Sequence, residues 1–272
     1  VRQLIQIESF GVGISRLRMA LWLWALNRDL VIDLRQTILP LLWRPWRILR
    51  YFWPIPRQVV HMKDRHLWRM HRQLLPLIHR VEAVDARLSI HVPPEAASHA
   101  ERQLSRWNVN PRKRLVLVCA GARGHTRRWY PDRFAALADR LIEEADAEVL
   151  FTGEPDEGGL IEEILNAMRH RAYSAVGLTT VTQLAALMQR MKLVIVQDSG
   201  PLHLASAVNA PVLALFGPSD PRKFGPSGAR HRVIQRRLFC VPCEVAQCRF
   251  HHECMRFIHV DEVYQAAREL LQ

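Results

Sequence analysis

The sequence predicts an α/β fold with a doubly wound parallel sheet, and three observations carry that prediction. Short β-branched apolar runs alternate with stretches of helical period through most of the chain. The segment KLVIVQDSGPLHLASAVNAPVLALFGPSDPRKFGP, residues 192–226, reads as strand, turn, helix, strand and turn. That is a βαβ unit with a right-handed crossover. Finally, 272 residues suffice for one large or two medium domains, with ample core.

Charge narrows the class of partner. The net charge is +12 and the isoelectric point near 10.3, which points to an anion: nucleic acid, a membrane surface or a phosphorylated substrate. Residues 1–110 hold 17 Lys and Arg against 8 Asp and Glu, so most of the excess lies there, with seven of the eight Trp. The longest apolar stretch, Met19 to Leu26, falls short of the ~18 residues that span a bilayer. No signal-peptide pattern is read. Val1 opens in mid-pattern without Met, so the natural N-terminus is expected to lie upstream.

Residues 1–109 are assigned to a first domain. VRQLIQIES reads as a strand, a helix follows through Leu17, Leu21 and Trp24, and DLVIDLR (Asp29 to Arg35) is a buried strand. Thr37 to Arg57 mixes Trp43, Trp46, Tyr51, Phe52 and Trp53 with four arginines and four prolines. It suits either a connection with aromatic core residues or an interfacial patch, with Trp at headgroup depth and Arg at phosphate. His61, His66 and His71 recur five apart, off the i, i+4 spacing of a helical metal pair, and read as a solvated face. An Ala-rich helix, Val92 to Trp107, leads to NPRKR (Asn110 to Arg114), read as an interdomain linker.

Residues 110–260 form the second domain. LVLVCAG is a buried strand, ARGHTRRW a basic loop, and Tyr130 to Ala145 an amphipathic helix through Phe134, Leu137, Ala138 and Leu141. AEVLFTG is the next strand, EPDEGGLIEEILNAM a loop and helix, and AYSAVGLTTVTQLAALMQRM a short strand and helix. The 192–226 unit follows. Asp261 to Gln272 is a closing amphipathic helix.

In such a sheet the ends of three strands, Gly121 to Trp129, Thr152 to Glu157 and Asp198 to His203, lie along one edge, where open α/β sheets bind ligands. The residues collected there describe a nucleotide site. Arg123, Arg127 or Arg128 can neutralise a diphosphate. The Ser199 hydroxyl and the amides after Gly200 can donate to its oxygens, as can His203 in the first helical turn. Glu154 or Glu157 suits a ribose diol. Singly, each has a plainer role as helix cap, solvated loop or helix-start charge. Their convergence on one edge favours the site.

GARGHTRRWYPDRFAALADRL, FTGEPDE, GLTTVTQLAALM and above all QDSGPLHLASAVNAPVLALFGPSDP resemble the signature segments of glycosyltransferase family 9, the lipopolysaccharide heptosyltransferases. The match covers about residues 110–260 and is weaker before that. The resemblance implies a GT-B fold of two Rossmann-like domains, the first truncated here, with the closing helix 261–272 packing back on the first domain. It implies an inverting, metal-independent transfer of heptose from ADP-heptose to the lipopolysaccharide inner core, in the cytoplasm at the inner face of the membrane. Asp198, Ser199, Gly200 and His203 fall on the family's donor-binding turn. Arg127 stands where many members carry Lys, facing the diphosphate; Thr179 would face the adenine side and Glu157 the ribose. The family's general base is an Asp after the first strand, and nothing in Val1 to Arg35 matches it. The catalytic base is therefore unassigned, with Asp33 and Asp64 as fallbacks.

Cys240, Cys243, Cys248 and Cys254 cluster, with His251 and His252 beside them and Cys119 alone in a strand. In a reducing compartment such spacing suggests structural zinc before disulfides. Two other functions fit parts of the pattern. One is a nucleotide-sugar-binding remnant or fragment without catalysis. The other is a zinc-containing nucleic-acid binder, which finds no recognised nucleic-acid module here, so nucleic acid is not expected as a partner.

Overall fold

A computed structural model describes residues 60–62, 64, 65, 68, 88–228 and 230–272. The chain divides into two units, 1–86 and 87–272. Of the first, Met62, Asp64, Arg65 and Trp68 are helical, as the 61–77 pattern predicts. Asp33, the strand 29–35, the aromatic and arginine-rich 37–57 stretch, His66 and His71 lie outside the described residues.

The second unit begins with α1 (Pro94–Arg106) and β1 (Arg114–Cys119), followed by α2 (Pro131–Ala145) and β2 (Ala147–Thr152). Then come α3 (Gly158–Ala167), β3 (Tyr173–Ser174), α4 (Val181–Arg190), β4 (Leu193–Gln197), α5 (Gly200–Ala207) and β5 (Val212–Phe216). A short α6 (Pro221–Phe224), β6 (His231–Gln235), α7 (Glu253–Arg256) and α8 (Val260–Leu270) complete it. The six strands form one parallel sheet in the order β3-β2-β1-β4-β5-β6. Strand order runs outward both ways from the β1–β4 pair, so the topological switch point lies between those strands.

Alternation along the buried strands builds a core on each face. Val116 and Val118 of β1 face a cluster with Phe134, Leu141, Ile164 and Val263, from α2, α3 and α8. Leu117 and Cys119 face the other way, toward Ala100, Leu187 and Leu202, from α1, α4 and α5. This is one doubly wound half of the expected GT-B-type α/β fold. Helix starts follow their local chemistry: Pro opens α1 and α2, and Thr180 with Gln183 forms a reciprocal capping box on α4.

Two placements differ from expectation. The Ala-rich helix α1 packs on α4 through Ala96 and Ala100, whose small side chains permit close approach. NPRKR is thus a turn inside this unit and not a linker between domains. The other is β6, absent from the expected strands, which is an edge strand with only Ile234 buried. The closing helix α8 buries Val263, Tyr264, Ala266 and Ala267 against α2 and the sheet of its own unit.

Candidate donor site

The carboxyl ends of β1 and β4 are joined by a residue that sequence reasoning passed over. Gln197, the last residue of β4, is fully buried. Its Nε2 donates to the Ala120 carbonyl at 2.5 Å, and its Oε1 accepts the Trp129 amide. The side chain therefore ties both ends of the basic loop 121–128 to the end of β4. Trp129, itself buried, anchors the far side by donating Nε1–H to the Ile258 carbonyl at 3.1 Å and packing edge-on against Phe134.

Within that loop a 3₁₀ turn, His125–Arg127, brings the Arg127 Nη1 to 3.2 Å from Oδ2 of Asp198. Asp198 is nearly buried, with 6 % of its side chain exposed, whereas Arg127 is 41 % exposed. The oxygen has no well-aligned donor, so the contact is a charge pairing and not a directed hydrogen bond. Arg127 keeps donors free for a second anion, since a guanidinium has five N–H groups. Arg128 is committed differently: its Nε donates to the Ala122 carbonyl at 2.7 Å and closes the loop on itself. Arg123 stays exposed on the same loop.

After Asp198 the chain enters α5. The Ser199 hydroxyl donates back to the Gln197 carbonyl at 3.4 Å and does not cap the helix, so the first turn of α5 has no side-chain cap. Gly200 is exposed with open space where a Cβ would stand, and His203 is half-buried one turn on. An uncapped helix start beside an arginine, at the switch point, favours a phosphate group.

Glu157 reaches the same edge from β2. Its Oε2 accepts the Glu154 amide at 3.0 Å in a reciprocal cap, which settles Glu154 as its structural partner. The carboxylate lies over two glycines at strand ends: a Cβ on Gly121 would stand 1.8 Å from Oε1, and one on Gly153 2.7 Å from Oε2. Burial, and after it the Glu157 charge, pushes the Cys119 thiol far above its ordinary range, so that cysteine is a core residue. Thr179 is half-buried in the loop after β3. It shares the edge but sits three strand positions from β4, roughly 14 Å at ~4.8 Å per strand. The structure thus brings Arg127, Asp198 and Ser199 together, with Gly200 and His203 in the adjoining turn, and sets Glu157 and then Thr179 progressively farther along the edge.

The far wall comes from β5 and the cysteine-rich segment. A Cβ on Gly217 would stand 2.7 Å from the Met255 Sδ and 3.3 Å from the Thr126 carbonyl, so a side chain there would have to displace the Met255 thioether. Asp220 caps α6 through the Arg222 amide, and the Arg222 guanidinium holds its carboxyl below the usual range. The four clustered cysteines are free thiols, and among the described residues no three His, Cys, Asp or Glu side chains are placed to hold a metal ion. Cys254 is buried in the core, which pushes its thiol up to about 11, while Cys248 accepts the Phe250 and His252 amides. The charges of Cys248, Cys243 and Cys240 add to the rise, so the four thiols form one cluster beside the site.

The model of glycosyltransferase family 9 (heptosyltransferase) matches residues 58–253, more than half of the chain. Lipopolysaccharide heptosyltransferase 2 of Salmonella typhimurium is 33% identical over 151 residues, 53% of this chain and 43% of that protein. Lipooligosaccharide heptosyltransferase 2 of Campylobacter jejuni is 27% identical over 60% of this chain and 52% of its own length. The chain thus spans about half the length of the curated relatives it matches. Among solved structures, the E. coli ADP-heptose lps heptosyltransferase II aligns with a TM-score of 0.57 at 26% identity, over 67% of this chain and 53% of that one. A glycosyl transferase family 9 structure from Veillonella parvula aligns with a TM-score of 0.68 at 24% identity, over 80% of this chain and 62% of that one, a likeness of fold.

Proposed function

From its membership of glycosyltransferase family 9, to which this chain belongs, we propose that it serves an inverting transfer of heptose from ADP-heptose to the lipopolysaccharide inner core. The observation that carries this reading is the Arg127–Asp198 pairing beside the uncapped start of α5, at the β1–β4 switch point. A sugar diphosphate seated there meets a guanidinium and a helix N-terminus. Negative charge grows on the departing ADP as the glycosidic bond breaks, and groups fixed in advance at that position stabilise the transition state more than the ground state. Asp198, nearly buried, holds Arg127 in place. His203 and Ser199 are assigned to the diphosphate or the sugar, Glu157 to the ribose, and Thr179 to the adenine side, in the order in which they stand along the edge.

The positive charge comes from protein side chains, so the reading is metal-independent, and a chelator should leave transfer unchanged. The general base stays unassigned, and of the two fallback carboxylates Asp64 is the one within the described residues. The acceptor is placed at the inner face of the cytoplasmic membrane with the protein peripheral to it. Among the described residues no helix is long and apolar enough to cross a membrane.

Calorimetry with ADP and ADP-heptose tests the donor part, and absence of binding would sink it. Transfer to a heptose-deficient lipopolysaccharide tests the reaction. A second reading is a donor-binding protein without transfer, and binding of ADP-heptose with no transfer would select it.

A further inference from the structure

The cysteine-rich segment between β6 and α7 takes no part in the donor chemistry, yet it is firmly held against it. The Cys243 and Glu244 amides both donate to the Pro218 carbonyl, at 2.9 and 3.0 Å, and the Thr126 hydroxyl donates to the Val245 carbonyl at 3.3 Å. The Lys223 ammonium bonds Glu244 at 2.7 Å, and the His252 ring lies 5.2 Å from that of His125. A segment fixed at so many points does not need exposed apolar groups to hold its shape.

It exposes them nonetheless. Phe239 is 85% accessible and Phe250 40%, their rings edge to face at 5.0 Å. Each has an arginine beside it in sequence, in Arg237-Leu-Phe239 and Arg249-Phe250. Both arginines are exposed, and neither has a hydrogen bond or ion pair among the described residues, whereas the nearby Glu244 is bonded to Lys223 and Arg236 to Glu262. A protruding aromatic pair flanked by free cations is the composition of an interfacial anchor: rings enter the boundary between headgroups and chains, and cations meet lipid phosphates.

We propose that Phe239 and Phe250, with Arg237 and Arg249, form a docking surface for an anionic lipid bilayer beside the donor site. The charge of the flanking groups selects an anionic surface. The projection of Phe239 suits a deformable layer better than a protein face, whose anchors sit in packed pockets. The proposal rests on the acceptor being a membrane glycolipid, and it gives that reading a geometry. The segment touches the His125–Arg127 turn through Val245 and His252, so it adjoins the loop that carries Arg127.

The test is sedimentation of the full chain with vesicles of phosphatidylcholine alone and with phosphatidylglycerol at about 3:1, with ADP calorimetry run alongside. Wild-type protein should partition onto the anionic vesicles in a salt-sensitive manner. The Phe239→Ser/Phe250→Ser variant should partition about tenfold less or weaker still. Arg237→Gln/Arg249→Gln should lose about tenfold on anionic vesicles. ADP affinity should be unchanged in both. The single Phe239→Ser variant, at a residue already in water, guards against misfolding and should itself lose several-fold. Failure of wild-type protein to bind, or partition equal across the variants, overturns the proposal. Loss of ADP binding in the wild type alone would overturn the donor reading and leave this one standing.

Discussion

The guanidinium of Arg127 stands 3.2 Å from the Asp198 carboxylate and so joins the loop after β1 to the turn after β4. The two residues are 71 apart in sequence and meet only because parallel pairing of β1 with β4 aligns their carboxyl ends. The pair is asymmetric in burial, and that asymmetry separates its two roles. Solvent screens the exposed arginine, so Arg127→Ala should lower stability by only about 1 kcal/mol. A charged hydrogen bond to a diphosphate contributes more, and ADP affinity should fall about tenfold or more. Urea denaturation and calorimetry on the same variant measure both. A large stability loss with unchanged ADP affinity would make the arginine purely structural.

Gln197 predicts the reverse pattern. Replacing it with Leu leaves the Trp129 amide and the Ala120 carbonyl buried without partners, at about 1–3 kcal/mol each. Gln197→Leu should therefore unfold at markedly lower urea concentration, and ADP binding should weaken because the loop carrying Arg127 loses both ties. Wild-type stability in that variant would show the side chain to be dispensable.

Much of this arrangement is legible in the residues, and the rest is not, for reasons of range. QDSGPLHLA announces its turn because Gly, Pro and a small-residue helix follow a β-branched strand within a few positions. Gln197 carries no such signal: its partners lie 68 and 77 residues away, and a polar residue ending a strand looks like the start of a loop. The amphipathic stripe of α8 shows that it buries a face, but the partner of that face depends on tertiary packing. β6 was missed because an edge strand with a single buried side chain has almost no alternation. The cysteine spacing is plain, yet it does not encode which of the four thiols is buried, and only Cys254 is.

The fit of Glu157 over Gly121 yields a coupled prediction. A Cβ at Gly121 would fall 1.8 Å from Oε1, so Gly121→Ala must push the glutamate out of its reciprocal cap with Glu154. The cost should be about 1–3 kcal/mol, as for overpacking elsewhere. In a Glu157→Ala background most of that cost should vanish, since the obstructing carboxylate is gone. A double-mutant cycle in urea measures the coupling. Additive losses would mean that the glutamate does not occupy that position in solution.

The cysteine-rich segment should also respond to pH through His252. Burial holds this imidazole below its ordinary value, and the neighbouring His125 and His251 lower it further. The folded state therefore favours the neutral ring, and the unfolded chain takes up a proton first as pH falls past about 6.5. Below that point the unfolded state binds more protons, so this contribution to stability is full at higher pH and is lost on acidification. The Cys243 and Glu244 amides, bonded to the Pro218 carbonyl, report on the segment directly. Their hydrogen-exchange protection, corrected for intrinsic rates, should fall between about pH 7.5 and 5.5, and His252→Gln should flatten that change. Protection that rises on acidification would mean that the charged ring is the one the fold prefers, and His252 would then have to face a carboxylate instead of His125.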